Sequence, residues 1–225
     1  MNYIKNIGEK SLKAFENLKN VEHSKIKKTL KEYASLVKKN KLKILKENSK
    51  DIKKAKRKKL MDRLILNNVK INQIISSVKS IEKFKNPIGQ VLSKWKRSNK
   101  LKIEKVSIPI GVICVIYESR PNVTADVAAL CLKSGNSVIL RGGSDAYNTN
   151  RFLANLFRKA LRKNKIDENC VQFVEKKDRK IFDIIISKMS NYIDLVVPRG
   201  GKNLVKKVQK LSKVNVIGHL EGLCH

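Results

Sequence analysis

Residues 108–144, IPIGVICVIYESRPNVTADVAALCLKSGNSVILRGGS, restrict the possible folds of this chain more than any other segment. Val112 to Tyr117 is a short, apolar, β-branched run behind Pro109 and Gly111, which predicts a strand buried on both faces. Pro121 breaks the chain after it, and Asn122 and Thr124 offer side chains that cap a helix. Ala125 to Lys133 is small and apolar without a charged stripe, so it predicts a largely buried helix, ended by Gly135-Asn136. Ser137 to Leu140 is a second apolar strand, and Arg141-Gly142-Gly143-Ser144 is a turn that opens the next helix. Two parallel strands joined by a helix make a right-handed βαβ unit.

The same rhythm continues. Tyr147 to Lys163 predicts a helix with Phe152, Leu153, Leu156, Phe157 and Ala160 inward. Val171 to Val174 is a third strand and Lys177 to Met189 a helix. Ile193 to Val197 is a fourth strand running into Pro198-Arg199-Gly200-Gly201-Lys202, a helix reaches Leu211, and Val214 to Ile217 is a fifth strand. This alternation predicts an α/β fold, a doubly wound, mostly parallel, Rossmann-like sheet. Upstream, residues 1 to about 85 read as amphipathic helices that need a partner surface. Their apolar positions are Ile4, Ile7, Leu12, Phe15 and Leu18, then Ile26, Leu30, Tyr33, Leu36 and Val37, then Leu42, Leu45 and Ile52. A further helix runs from Leu64 to Phe84. Trp95 to Ile108 alternates apolar and charged residues, as an exposed hairpin or edge strand does. The expected organisation is a helical region at 1–90 packing on the sheet, a β-arm or edge strand at 91–109, and a Rossmann-like core at 110–225.

The net charge of +32 invites a nucleic-acid reading. Its distribution argues against one. Residues 1–105 carry 31 basic and 9 acidic side chains, whereas residues 106–150 carry 3 of each. The charge avoids the motif-bearing core. Lysines outnumber arginines 41 to 10, yet arginine is the favoured reader of base edges. The run KKAKRKK at 53–59 reads as a solvated helix face or loop, with a nucleic-acid patch as the rarer alternative. No specific nucleic acid is expected as a partner, only weak polyanion binding. No apolar run approaches the roughly 20 residues of a membrane span, and the amino terminus lacks the pattern of a secretory signal. The expectation is a cytoplasmic protein with no membrane partner. Cys114, Cys131, Cys170 and Cys224 form no C-x-x-C pair, so no metal site is expected.

Open α/β sheets bind ligands at the carboxyl ends of their strands. Two loops of the central unit lie there, Glu118 to Asn122 and Arg141 to Ser144. An arginine, two glycines and a serine leading into a helix offer backbone N–H groups and positive charge to an anion. An ordinary turn is the alternative. Arg199-Gly200-Gly201-Lys202 repeats the pattern. No G-x-G-x-x-G follows a strand, so the common dinucleotide fingerprint is absent.

IYESRPNVTAD with ALCLKSGNSVILRGGS, DLVVPRGGKNLVKKVQ at 194–209, and VIGHLEGLCH at 216–225 occur in that order. On these segments the chain resembles the γ-glutamyl phosphate reductases (glutamate-5-semialdehyde dehydrogenases) of the aldehyde dehydrogenase superfamily, over about Tyr3 to His225. That span is the amino-terminal part of the family's chain. The resemblance implies an aldehyde dehydrogenase-like cofactor domain and NADPH-dependent reduction of L-glutamyl 5-phosphate to L-glutamate 5-semialdehyde, with release of phosphate, in proline biosynthesis. It places Arg141, Gly142, Gly143 and Ser144, with Arg199, Gly200, Gly201 and Lys202, at the cofactor. Arg141 is the candidate for the 2′-phosphate. It places Ser119, Arg120 and Asn122 at the substrate, with Ser119 where relatives carry an oxyanion-stabilising asparagine. It makes residues 91–109 an arm packing against a second subunit, hence a homo-oligomer.

The family's nucleophilic cysteine lies in an R-P-G-x-C-like motif that does not occur in these 225 residues. The expectation is therefore a truncated cofactor-binding portion without the catalytic domain, inactive alone and with no catalytic residue of its own. Cys224 beside His225 suggests a dyad, but the resemblance puts it upstream of the catalytic cysteine, and Glu221 is not assigned as a base. The competing expectations are a basic polyanion-binding protein built on an enzyme fold, and an inactive relic of the reductase.

Overall fold

The computed structural model describes residues 2–55 and 61–218. Nine α-helices, two single-turn 3-10 helices and six strands are present among them. Five helices come first: α1 (Asn2–Leu18), α2 (His23–Lys39), α3 (Lys41–Lys54), the single turn α4 (Met61–Leu64) and α5 (Asn68–Lys83). An antiparallel hairpin follows, β1 (Val91–Lys96) with β2 (Lys102–Val106), nearly all of it exposed. The rest alternates: β3 (Val112–Tyr117), α6 (Pro121–Lys133), β4 (Ser137–Gly142), α7 (Tyr147–Lys163), β5 (Val171–Phe173), α8 (Arg179–Lys188), β6 (Leu195–Arg199) and α9 (Lys202–Leu211).

The main sheet has four parallel strands in the order β5-β4-β3-β6. In the order of the chain this is third, second, first, fourth. The first two crossovers place α6 and α7 on one face, and the return to β6 carries α8 and α9 to the other. The expected doubly wound topology is therefore present, with its reversal of strand order at β3. Every residue of β3 is buried, because helices cover both faces. Alternate residues divide between two apolar layers. Ile113, Val115 and Tyr117 join α2, α5, α6 and α7, while Val112, Cys114 and Ile116 join α1, α8 and α9. The first layer joins α2 to α7 through Tyr33 and Phe157, whose tilted rings stand 4.4 Å apart between centroids.

Local expectations fail at four places. Pro121 does not break the chain but opens α6 as its first residue, where a proline loses no helical hydrogen bond. Neither Asn122 nor Thr124 caps that helix: Asn122 bonds Asp126, and the Thr124 hydroxyl bonds the Tyr117 hydroxyl at 2.7 Å. Val214 to Ile217 contributes a parallel bridge, Val216 to Val196, rather than a full strand. Finally, α3 does not bury Leu42, Leu45 and Ile52 as a stripe; Leu42 is 83% exposed, and the buried residues are Ile44, Asn48 and Asp51. The charge run at 53–59 lies largely outside the described residues, as do His219, Glu221, Cys224 and His225.

Candidate functional site

Three loops meet at the carboxyl edge of the sheet, after β3, β4 and β6. The first is threaded between the other two. A Cβ built on Gly143 would lie 3.1 Å from the Ser119 backbone nitrogen, and one on Gly200 would lie 2.7 Å from Glu118 Cγ. Neither glycine has a positive φ. Both are small because the loop after β3 passes against them. The Glu118 N–H also donates to the Arg199 carbonyl at 3.1 Å. The paired glycines, read from sequence as a cradle for phosphate, thus have a packing role in addition.

Beside these loops, at the reversal of strand order, lies an open cleft of about 530 Å³. Arg141, Gly142, Gly143 and Ser144 line one side, Glu118 and Ser119 the floor, and Lys177, Arg179, Asn203 and Lys207 the remainder. Four cations and two carboxylates, Glu118 and Asp145, make it net positive. Arg141 is half-buried. Its guanidinium donates to the carbonyls of Gly142 (2.9 Å) and Lys177 (3.2 Å), which ties the end of β4 to the segment before α8. Burial lowers its pKa from the usual value, but arginine stays charged at neutral pH. Lys177 sits over the Tyr147 ring at 4.0 Å, and Lys207 pairs with Asp183 at 3.0 Å. The wall at Ser144 and Asp145 is the single 3-10 turn that leads into α7, and another part of the lining is Asn203, Leu204 and Lys207 of α9.

The two arginines read as a pair from sequence are separated by the pleat. Arg141 aligns with Ile116 and Arg199 with Tyr117. They share the carboxyl edge but belong to opposite faces of the sheet. Arg199, Gly200, Gly201 and Lys202 are not among the residues lining the cleft. The three residues read as substrate ligands also divide. Ser119, 4% exposed, is in the basic cleft with Oγ 3.5 Å from Asp145. Asn122 faces a second cleft between α5 and α6. Arg120, between them, has no side-chain hydrogen bond or ion pair among the described residues.

Cys114, Cys131 and Cys170 are all buried, and burial pushes each thiol up to about 12. A thiol of that pKa carries almost no thiolate at neutral pH, so none of the three is a nucleophile. Among the described residues no group of three or more His, Cys, Asp or Glu side chains could hold a metal, and no helix is long and apolar enough to cross a membrane.

The sequence model of the aldehyde dehydrogenase family matches residues 2–221. The γ-glutamyl phosphate reductase of Aquifex aeolicus is 39% identical over all of this chain and 52% of its own length. That of Leptospira interrogans serovar Lai is 43% identical over 99% of this chain and 54% of its own. The crystal structure of the Thermotoga maritima γ-glutamyl phosphate reductase superposes with a TM-score of 0.89, at 37% identity, over 94% of this chain and 52% of that one. A Listeria monocytogenes protein described as a probable aldehyde dehydrogenase shares the fold at 17% identity, with a TM-score of 0.76, over 97% of this chain and 46% of its own. The chain spans about half the length of the curated relatives it matches.

Proposed function

This chain belongs to the aldehyde dehydrogenase family, and we propose that it is the dinucleotide-binding part of an NADPH-dependent γ-glutamyl phosphate reductase. The reaction is reduction of L-glutamyl 5-phosphate to L-glutamate 5-semialdehyde with loss of phosphate. The observation that carries this reading is the basic cleft at the strand-order reversal, in a chain similar over its full length to such reductases.

The residues present suit a dinucleotide. Arg141 and its neighbours Lys177 and Arg179 supply positive charge with no carboxylate bound to the Arg141 guanidinium, which favours a 2′-phosphate and hence NADPH. Ser144, in the turn before α7, lines the same cleft as Arg141 and is available to the ribose. The loop at Gly200-Gly201 and Lys202, leading into α9, offers its first N–H groups to a phosphate at the rim. NADPH supplies the hydride. Ser119, on the cleft floor, donates a hydrogen bond to the acyl oxygen as negative charge develops there. Arg120, which has no side-chain partner among the described residues, holds the leaving phosphate, and Asn122 stands beside the remainder of the substrate. The nucleophilic thiol is none of the three described cysteines. The exposed β1–β2 hairpin packs on a second subunit in a cytoplasmic homo-oligomer, with no membrane or sequence-specific nucleic-acid partner.

Titration of NADPH and NADH against the wild type and Arg141→Ala tests the cofactor assignment. Losing one charge-assisted phosphate contact, worth about 1.5–3 kcal/mol, weakens NADPH roughly ten- to a hundredfold and NADH less. Equal weakening of both refutes the 2′-phosphate assignment. No effect on either makes Arg141 a tie between β4 and the segment before α8 and nothing more.

A further inference from the structure

On the opposite side of the loop after β3 lies the second cleft, of about 290 Å³, between α5 and the amino end of α6. Asn122 and Asp126 face it from one turn of α6, and Arg63 and Lys70 from the other wall. Asp126 is the one carboxylate among the described residues with a buried oxygen that lacks a hydrogen-bond partner. Its Oδ2 accepts from the Asn122 amide at 3.2 Å, and its buried Oδ1 has no hydrogen-bond partner. No cation pairs with it among the described residues. Basic side chains outnumber acidic ones 51 to 19, and Glu32, Glu168 and Glu175 each have a lysine or arginine within 3.2 Å. A half-buried carboxylate without a counter-charge is costly unless a ligand supplies one.

The other wall has the complementary charge. Lys70 Nζ is tethered by donating to the carbonyls of Asp62 (2.5 Å) and Ile65 (2.7 Å), which fixes its charge at the cleft. Arg63 is exposed, and its guanidinium has no partner among the described residues. A small cleft with an unpaired carboxylate on one wall and two cations on the other is complementary to a zwitterion.

We propose that this cleft holds the α-amino acid end of the substrate, Asp126 taking the ammonium and Arg63 with Lys70 the α-carboxylate. The inference rests on the reductase reading and deepens it by assigning the residues that select an amino acid over a simple acyl phosphate. The span fits: Ser119 stands in the cofactor cleft and Asn122 three residues later in this one, at most about 10 Å along the chain. A five-carbon amino acid can have its head in one cleft and its acyl end at the other. Asn122 acts through Asp126 by fixing the carboxylate, as a positioning residue.

The test uses the full chain and three probes: NADPH, L-glutamate 5-methyl ester, and monomethyl glutarate, which lacks the ammonium. The wild type should bind the amino ester more tightly than the glutarate. Asp126→Asn should weaken the amino ester roughly ten- to a hundredfold, the loss of one charge-assisted contact, and leave the glutarate and NADPH unchanged. Arg63→Gln, at an exposed position that does not threaten folding, should weaken both esters alike. Equal affinity of the wild type for the two esters, equal weakening of both by Asp126→Asn, or an amino ester unaffected by it would overturn the proposal. Failure of NADPH to bind the wild type would instead strike at the reductase reading, while the ester comparison still decides the role of Asp126.

Discussion

Removing the Asp51 carboxylate should loosen the amino end of α7 and, through it, one wall of the cofactor cleft. Asp51 is on α3 and 2% exposed. Its Oδ1 accepts from the Asn148 backbone and side-chain amides at 3.0 and 2.8 Å, and its Oδ2 from the Thr149 backbone N–H at 2.8 Å and hydroxyl at 2.6 Å. Asn148 and Thr149 are the second and third residues of α7, so their N–H groups have no partner within the helix. The residue before α7, Ala146, provides no side-chain cap. A carboxylate from another helix does the work of the cap and places negative charge at the positive end of the dipole. Asp51→Ala strands two N–H groups, each costing about 1–3 kcal/mol when buried and unpaired, for a loss of about 2–6 kcal/mol. Asp51→Asn keeps one acceptor but turns donors toward the other pair, and should cost roughly half as much by the same accounting. Urea unfolding falls by about 1–3 kcal/mol per molar, so a 3 kcal/mol loss moves the midpoint by about 1–3 M. The exposed Asp62→Ala should stay within about 0.5 kcal/mol of the wild type. Because Ser144 and Asp145 precede this helix end, NADPH affinity should fall in the Asp51 variants as well. A midpoint shift for Asp51→Ala no larger than that for Asp62→Ala would refute the argument.

Gly143→Ala should weaken NADPH binding severalfold with little loss of stability, since its Cβ would stand 3.1 Å from the Ser119 backbone nitrogen and move the cleft floor by a few tenths of an ångström; unchanged affinity in the titration would show that the loop yields freely. His23 gives a pH dependence. Burial first, then the charges of Lys133 and Lys27, hold its pKa below the ordinary histidine value of 6.5. The unfolded chain therefore takes up the proton first, so stability is full above about pH 6.5 and is lost as pH falls toward the folded-state value. Melting temperature should rise from pH 5 to pH 7, and His23→Gln should flatten part of that rise; an identical profile in the variant would remove His23 as a contributor.

How much of this was legible in the sequence differs from element to element. The bounds of β3 and α7 were readable to the residue, because an unbroken β-branched run and a clean 3.6-residue stripe leave little choice of structure. The parallel, doubly wound topology followed from the alternation of such segments. The segments resembling the reductases brought the family with them, since two of them join strand ends to loops of a particular composition. In α3 the same logic failed. Beside Ile44, its buried face is made of Asn48 and Asp51, whose value lies in the hydrogen bonds they make to Leu64, Leu66 and α7, and periodicity of apolar residues carries no trace of such partners.

Sequence alone determined that this chain makes a buried parallel sheet with basic loops at its carboxyl edge, because local propensity and burial pattern are properties of consecutive residues. Tertiary structure alone decided which of those residues share a site. Arg141 and Arg199 look equivalent in sequence, but the strand pleat assigns them to opposite faces, since each is aligned with a different residue of β3. Ser119 and Asn122 are neighbours in the chain, yet the turn into α6 sends them to different clefts. Asp126 faces Arg63 and Lys70 without touching them, among the described residues, only because α4 and α5 set those two cations on the opposite wall. Complementarity across a gap depends on where separate elements stop, and no run of residues encodes that.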